Sequence, residues 1–171
     1  MRSQAVLSQR FTGELQFVSF IVGDLLLGVD IRRVREINRN WNLTTVPHAA
    51  PAVRGVINLR GDVVTIVDLR TVLALPAAET SRDRRNIIVQ TDGEQIGLLA
   101  DRVADVIVVD ADQIYPLPEN LAGAEGDFFD GVFKLDHGLL VILDVERTLA
   151  HVAHDADAKG GASRLPQRVP M

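Results

Sequence analysis

Residues 55–73, GVINLRGDVVTIVDLRTVL, decide the fold. Val56, Ile57 and Leu59 lead into Arg60-Gly61-Asp62, where glycine supplies the backbone freedom that a reversal needs. Residues 63–67 are an apolar, β-branched run, suited to a strand buried on both faces. Asp68 ends that run and can cap a helical turn over residues 69–75, which Pro76 stops. The chain then repeats itself, since residues 131–149 read GVFKLDHGLLVILDVERTL. Gly55 and Gly131 stand 76 residues apart, and so do Val56/Val132, Leu59/Leu135, Ile66/Ile142, Asp68/Asp144 and Leu73/Leu149.

Working outward, residues 17–22 (FVSFIV) read as a strand, Gly23-Asp24 as a hairpin turn and residues 25–31 as the returning strand. In residues 31–37, Ile31, Val34 and Ile37 recur every third position, which fits one helical turn or a bend between strands. Residues 41–46 predict a short strand, and the PHAAP of 47–51 an irregular connection. The polar stretch 76–86 is a surface loop, after which the pattern restarts. Residues 87–90 and 95–100 form a second hairpin about Asp92-Gly93. Here Gly97 matches Gly28, Val103 matches Val34 and Pro116 matches Pro47, each 69 positions on. The slip from 69 to 76 falls in a longer loop, residues 119–130. The chain is an internal duplication of about 17–73 and 87–149. Each unit holds four or five short strands and no long helix, which favours small barrels over a layered α/β fold. A seam between two such units is a natural place for partners. Residues 1–14 read as a mobile lead-in, 15–150 as the folded domain and 151–171 as a flexible tail.

Composition narrows the function. With 47% hydrophobic and only 5% aromatic residues, the core must be built of Val, Leu and Ile. A net charge of −5 and no basic run longer than Arg84-Arg85 argue against a nucleic-acid surface. Without cysteine there is no disulfide, thiolate metal site or cysteine nucleophile. No apolar stretch approaches a membrane span, so no direct membrane insertion is expected and the cytoplasm is the expected compartment.

Candidate chemistry is sparse. Asp68 and Asp144 hold matching places after an apolar strand, as the shared-proton dyad of an aspartic hydrolase would require. The residues that follow, Leu69-Arg70 and Val145-Glu146, bring bulk and charge where such a dyad needs small residues. Helix capping explains both aspartates. His151 and His154, with Asp155 and Asp157 near, have the spacing to grip a metal but no further ligand, while His48 and His137 stand alone. No serine lies in a nucleophile elbow and no glycine loop cradles a phosphate. We therefore expect no catalytic residue, no metal and no cofactor. What remains is a surface. Arg60 sits at a turn tip where the second copy has Asp136, so the fold does not need arginine there. Glu36 is matched by Asp105 and Val34 by Val103, and for these a structural role is the simpler reading.

Four separated segments carry a resemblance: VREI (34–37), PAVRGVINLRGDVVTIVDLR (51–70), IGLLADRVADVI (96–107) and GVFKLDHGLLVILDVERTL (131–149). In order and spacing they resemble the CheW family of chemotaxis coupling proteins, over about residues 17–149. The resemblance implies a mostly all-β fold of two intertwined five-stranded SH3-like β-barrels with short helical turns. The central part of the chain would build one barrel and both ends the other, with Gly55 and Gly131 near the crossings. It implies a non-enzymatic, stand-alone adaptor, coupling methyl-accepting chemoreceptors to a CheA-type histidine kinase in signalling arrays. Its partners would be the kinase's regulatory domain and the cytoplasmic tip of a chemoreceptor, through which it would associate with the membrane. Receptor contacts carry over to Val34, Glu36 and Arg60, with Asn58 setting the turn. Kinase contacts carry over to Arg54, Gly55 and Val56. Where the family often has proline this chain has Thr65, which keeps a backbone donor in that strand. The alternatives are an adaptor for pili, twitching or another chemosensory-type output, and, in a different class, the aspartate-dyad hydrolase.

Overall fold

The computed structural model describes residues 3–121 and 127–158. A helix α1 (Gln4–Arg10) precedes the hairpin of β1 (Glu14–Val22) and β2 (Leu25–Asp30). A 3-10 turn (Ile31–Arg33) leads into β3 (Val34–Asn38), and β4 (Val53–Leu59) and β5 (Asp62–Asp68) form the hairpin of residues 55–73. After α2 (Leu69–Val72) come β6 (Arg85–Gln90), β7 (Gln95–Ala100), β8 (Arg102–Asp110) and the two-residue β9 (Ile114–Tyr115). The hairpin of β10 (Phe129–Leu135) and β11 (Gly138–Leu143) and helix α3 (Val145–Ala158) follow.

The strands make two sheets, ordered β3-β6-β7-β5-β4 and β8-β1-β2-β11-β10-β9. Shifted by the repeat offsets, the first order becomes the first five strands of the second. Each repeat gives its leading hairpin to one sheet and its remaining strands to the other. The two copies are therefore swapped halves, joined inside each sheet by one parallel pair, β5 with β7 and β11 with β2. At each parallel seam an isoleucine faces a glycine, Ile66 opposite Gly97 and Ile142 opposite Gly28. β9 has its own echo in the other sheet, where Thr44 bridges Val56 as Tyr115 pairs with Val132. The main core is shared, with Phe20 and Leu27 of one sheet packed with Val67, Ile87 and Leu98 of the other, and with Leu69 and Val152 of the helices. Each sheet also closes on a smaller cluster of its own, around Ile66 and Ile88 in one and Phe17 and Ile142 in the other. Burying such apolar side chains stabilises the fold by about 1.5–3 kcal/mol each.

The chain crosses between sheets twice, at β2–β3 and at β7–β8, and an ion pair clasps each crossing. Asp101, between β7 and β8, accepts from Arg70 Nε at 2.9 Å and Nη2 at 2.7 Å, and from the Gly23 N–H at 2.8 Å. Arg33, between β2 and β3, pairs with Glu146 of α3 and donates to the Gln90 carbonyl. Glu146 is the repeat counterpart of Arg70, so the second clasp reverses the charges of the first, with its arginine one position beyond Arg32, the counterpart of Asp101.

Several expectations need correction. Gly55 and Gly131 do not lie at the crossings. They sit at bulges in β4 and β10, where the carbonyls of Thr44 and Tyr115 come too close for a side chain. Residues 41–46 make one bridge instead of a strand, because Asn38 and Asn40 side chains accept from the N–H groups of Asn40 and Asn42 and curl the chain. Of the two readings of 31–37, a helical turn or a bend between strands, the chain makes a 3-10 turn over Ile31–Arg33 that itself bends β2 into β3, and the rest is strand. Residues 1–14, expected as a mobile lead-in, hold α1, with Leu7 buried. The expected tail contributes too, since α3 continues to Ala158 with Val152 and Ala156 buried. Packed residues therefore lie on both sides of 15–150. The rest of that tail, and residues 122–126 of the longer loop, lie outside the described residues.

Candidate functional site

The β4–β5 hairpin closes with Leu59 opposite Asp62, so Arg60 and Gly61 alone make the turn. Both have positive φ, 51° and 88°. That geometry matches the twist of the strands but disfavours any side chain bearing a Cβ, at roughly 1–2 kcal/mol for a residue such as arginine. Asn58 Oδ1 fastens the turn by accepting from the Gly61 N–H at 2.9 Å. The equivalent turn has no positive φ at its two central residues, Asp136 and His137, and leaves the positive φ of its closing position to Gly138. Arginine is thus held in a strained position that the duplicated fold does without.

β3 and β4 are the two edges of the five-stranded sheet. The sheet curls so far that Arg60, at the end of β4, reaches across to Glu36 on β3, with Nη1 2.6 Å from Oε2. Glu36 Oε1 accepts from Asn38 Nδ2 at 2.8 Å. The Arg60 side chain remains 72% exposed and that of Glu36 24%. A pair so open to water contributes at most about 1 kcal/mol to stability, so the fold does not depend on it. It presents a charged fork at the surface with its carboxylate fixed from behind.

Of the residues expected to contact a receptor, Glu36, Asn58 and Arg60 come together at this edge. Val34 lies beyond a bulge in the β3–β6 pairing and is half-buried against the shared core. Arg54 and Val56 continue the outward face of β4 from Asn58. Arg54 is exposed and stands 3.8 Å from Asp68, while Gly55 is buried and has no side chain to offer. The sequence gives no surface role to Ile37 and Trp41, both exposed, or to the asparagines behind Glu36. The run NRNWN (38–42) is a visible signal for Trp41 and the asparagines.

The aspartate dyad is not formed as a reactive pair. Asp68 accepts from the Arg70 N–H at 2.9 Å and Asp144 from the Arg147 N–H at 3.1 Å, so each caps its own helix. His151 lies on α3, against Phe128 and 3.4 Å from Asp155. Among the described residues no group of three His, Cys, Asp or Glu side chains is placed to hold a metal ion, and no helix is long and apolar enough to cross a membrane.

Comparison with known proteins agrees with this architecture. The CheW-like domain family matches residues 16–153. The chain is 36% identical over 135 residues to chemotaxis protein CheW of Rhizobium meliloti, covering 78% of this chain and 86% of that protein. It is 32% identical over 145 residues to a probable chemotaxis protein CheW of Rhizobium etli, covering 84% and 93%. The crystal structure of scaffolding protein TtCheW from Thermoanaerobacter tengcongensis superposes with a TM-score of 0.71 at 30% identity, over 77% of this chain and 89% of that one. This chain belongs to the CheW-like family of non-enzymatic scaffolds.

Proposed function

We propose that the chain is an adaptor that couples methyl-accepting chemoreceptors to a CheA-type histidine kinase, working on the cytoplasmic side of the membrane. The observation that carries this reading is the Arg60–Glu36 pair, strained, exposed and missing from the second copy. Ile37 and Trp41 add exposed apolar surface to the same sheet edge. An apolar strip beside a charged fork suits the amphipathic helices of a receptor's cytoplasmic hairpin tip. The outer face of β4 from Arg54 to Val56 is the proposed surface for the kinase's regulatory domain, so the two partners would be held side by side on one strand. The names of its relatives, a chemotaxis protein and a scaffolding protein, support the reading.

The test is capture of each partner by Arg60→Ala. Receptor capture should fall while kinase capture and melting temperature stay near those of the parent. Equal receptor capture by variant and parent would remove Arg60 from the site.

A further inference from the structure

Asn86 on β6 is fully buried and faces Asn38 across the β3–β6 pairing. At the matching place in the other sheet Phe17 faces Ile107. The fold is therefore satisfied there by an apolar pair, and asparagine answers to something else. Its Nδ2 donates to Asn38 Oδ1 at 3.3 Å and to the main-chain oxygen of Asn40 at 2.9 Å. From Asn38 the network runs to Glu36 and so to Arg60. From Asn40 it runs through Nδ2 to the Asn58 carbonyl at 3.4 Å, and Asn58 fastens the turn that carries Arg60. Both arms converge on one side chain. Meanwhile Asn86 Oδ1 finds no hydrogen-bond partner among the described residues, a penalty that leucine or phenylalanine would not incur.

We infer that Asn86 is a buried positioning residue, which orients Glu36 and the Arg60 turn for receptor contact. The inference rests on the receptor reading of Arg60 given above. A polar residue kept inside a core with one atom unpartnered, in only one of two matched sheets, and wired to that sheet's exposed fork, has this as its use. The other sheet shows the same arrangement made without it.

The experiment compares the full chain with Asn86→Leu, Arg60→Ala and the two combined. It measures thermal melting, capture of a purified chemoreceptor cytoplasmic fragment, and capture of the kinase's regulatory domain. Asn86→Leu should melt at or above the parent temperature and keep kinase capture, while receptor capture falls about threefold to tenfold, the scale of one oriented charge contact. Added to Arg60→Ala, it should cause no further loss. Receptor capture that survives Asn86→Leu but not Arg60→Ala overturns the positioning role and leaves the receptor reading standing. Capture indifferent to Arg60→Ala overturns both. Should Asn86→Leu not fold, Asn86→Phe, which places there the residue that the other sheet has at the matching position, replaces it. Failure of both to fold overturns the inference, because the position would then belong to the scaffold.

Discussion

Gly55 lies so close beneath the Thr44 carbonyl that a Cβ added to it would stand 2.5 Å from the oxygen. Gly131 stands in the same relation to Tyr115, at 2.7 Å. Neither obstacle is a flexible side chain, since in both cases it is main chain that a bridge or strand pairing holds in place. Gly55→Ala and Gly131→Ala should each lower stability by about 2–4 kcal/mol, through overpacking against backbone and, at Gly55, a φ of 145°. Gly28→Ala meets only the end of the Leu140 side chain, at 3.1 Å, and should lose about 1 kcal/mol or less. Urea unfolding of the three variants gives the ranking. A Gly28 variant as damaged as the others would show that the seam between copies, and not the bulge, is the tight point.

The clasp at the β7–β8 crossing should make the protein sensitive to acid. Burial alone would push the Asp101 carboxyl up, yet the Arg70 guanidinium and the Gly23 N–H together hold it below the usual carboxylate value. Asp30, part-buried beside Arg32, is also held low. A carboxyl whose pKa falls on folding adds stability above its unfolded value, near 4, and loses it as pH falls through the lower folded value. Asp101→Asn should therefore be about 1–2 kcal/mol less stable than the parent at neutral pH, with the gap narrowing towards roughly pH 3. Denaturation midpoints at the two pH values decide the point. A gap of unchanged width would mean that the loss comes from disturbed geometry and not from the carboxylate's charge.

Much of this architecture was readable because a duplication reports twice. A single glycine in a strand is ambiguous, but Gly55 with Gly131 marks positions where close main chain dictates the residue, and Gly28 with Gly97 marks the two parallel seams. The same comparison exposed Arg60 by its difference from Asp136. The swap of hairpins between sheets was not legible in the pattern itself. Alternation along β1 says which face is buried but not which copy supplies the covering strand. α1 escaped notice because Leu7 and Phe11 are too few to set a helical period, and because its anchor Arg10 finds its partners, Asp130 and Asp144, in strand β10 and beyond it. Asn86 was hidden for a related reason. Its role depends on Asn38 and Asn40, 48 and 46 positions away.

The two capping aspartates should differ in weight, although the repeat makes them equivalent. Asp68 caps the four-residue α2, and Asp68→Ala should lose about 1 kcal/mol, the usual worth of a cap. Asp144 begins the longer α3, is 2% exposed, and lies 3.3 Å from Arg10 as well as capping Arg147. Asp144→Ala should lose about 2–4 kcal/mol, because it unfastens a helix and a buried charge contact at once. Thermal melts of the two variants measure the difference. Equal shifts would mean that Arg10 adds nothing to Asp144.

α1 supplies the second half of the molecule with a charge that the first half carries in its own strand. Arg54 stands where the repeat has Asp130, and it lies near Asp68, the counterpart of Asp144. With aspartate at position 130, two buried carboxylates face one region, and Arg10 enters from α1 at 2.9 Å from Asp130. Leu7, 2% exposed, seals the small core of that sheet above Ile114. Leu7→Ala should lose about 2–4 kcal/mol, as a buried leucine truncated to a cavity does. Arg10→Met should lose about 2–3 kcal/mol by withdrawing a cation from buried carboxylates, and Asp130→Asn in the same chain should recover part of that loss. Chemical unfolding of the single and double variants closes the cycle. If Arg10→Met were as stable as the parent, Leu7, Phe11 and the Gln4 hydrogen bond to the Ile114 carbonyl would suffice to hold α1, and the matched Arg54 would be no guide to it.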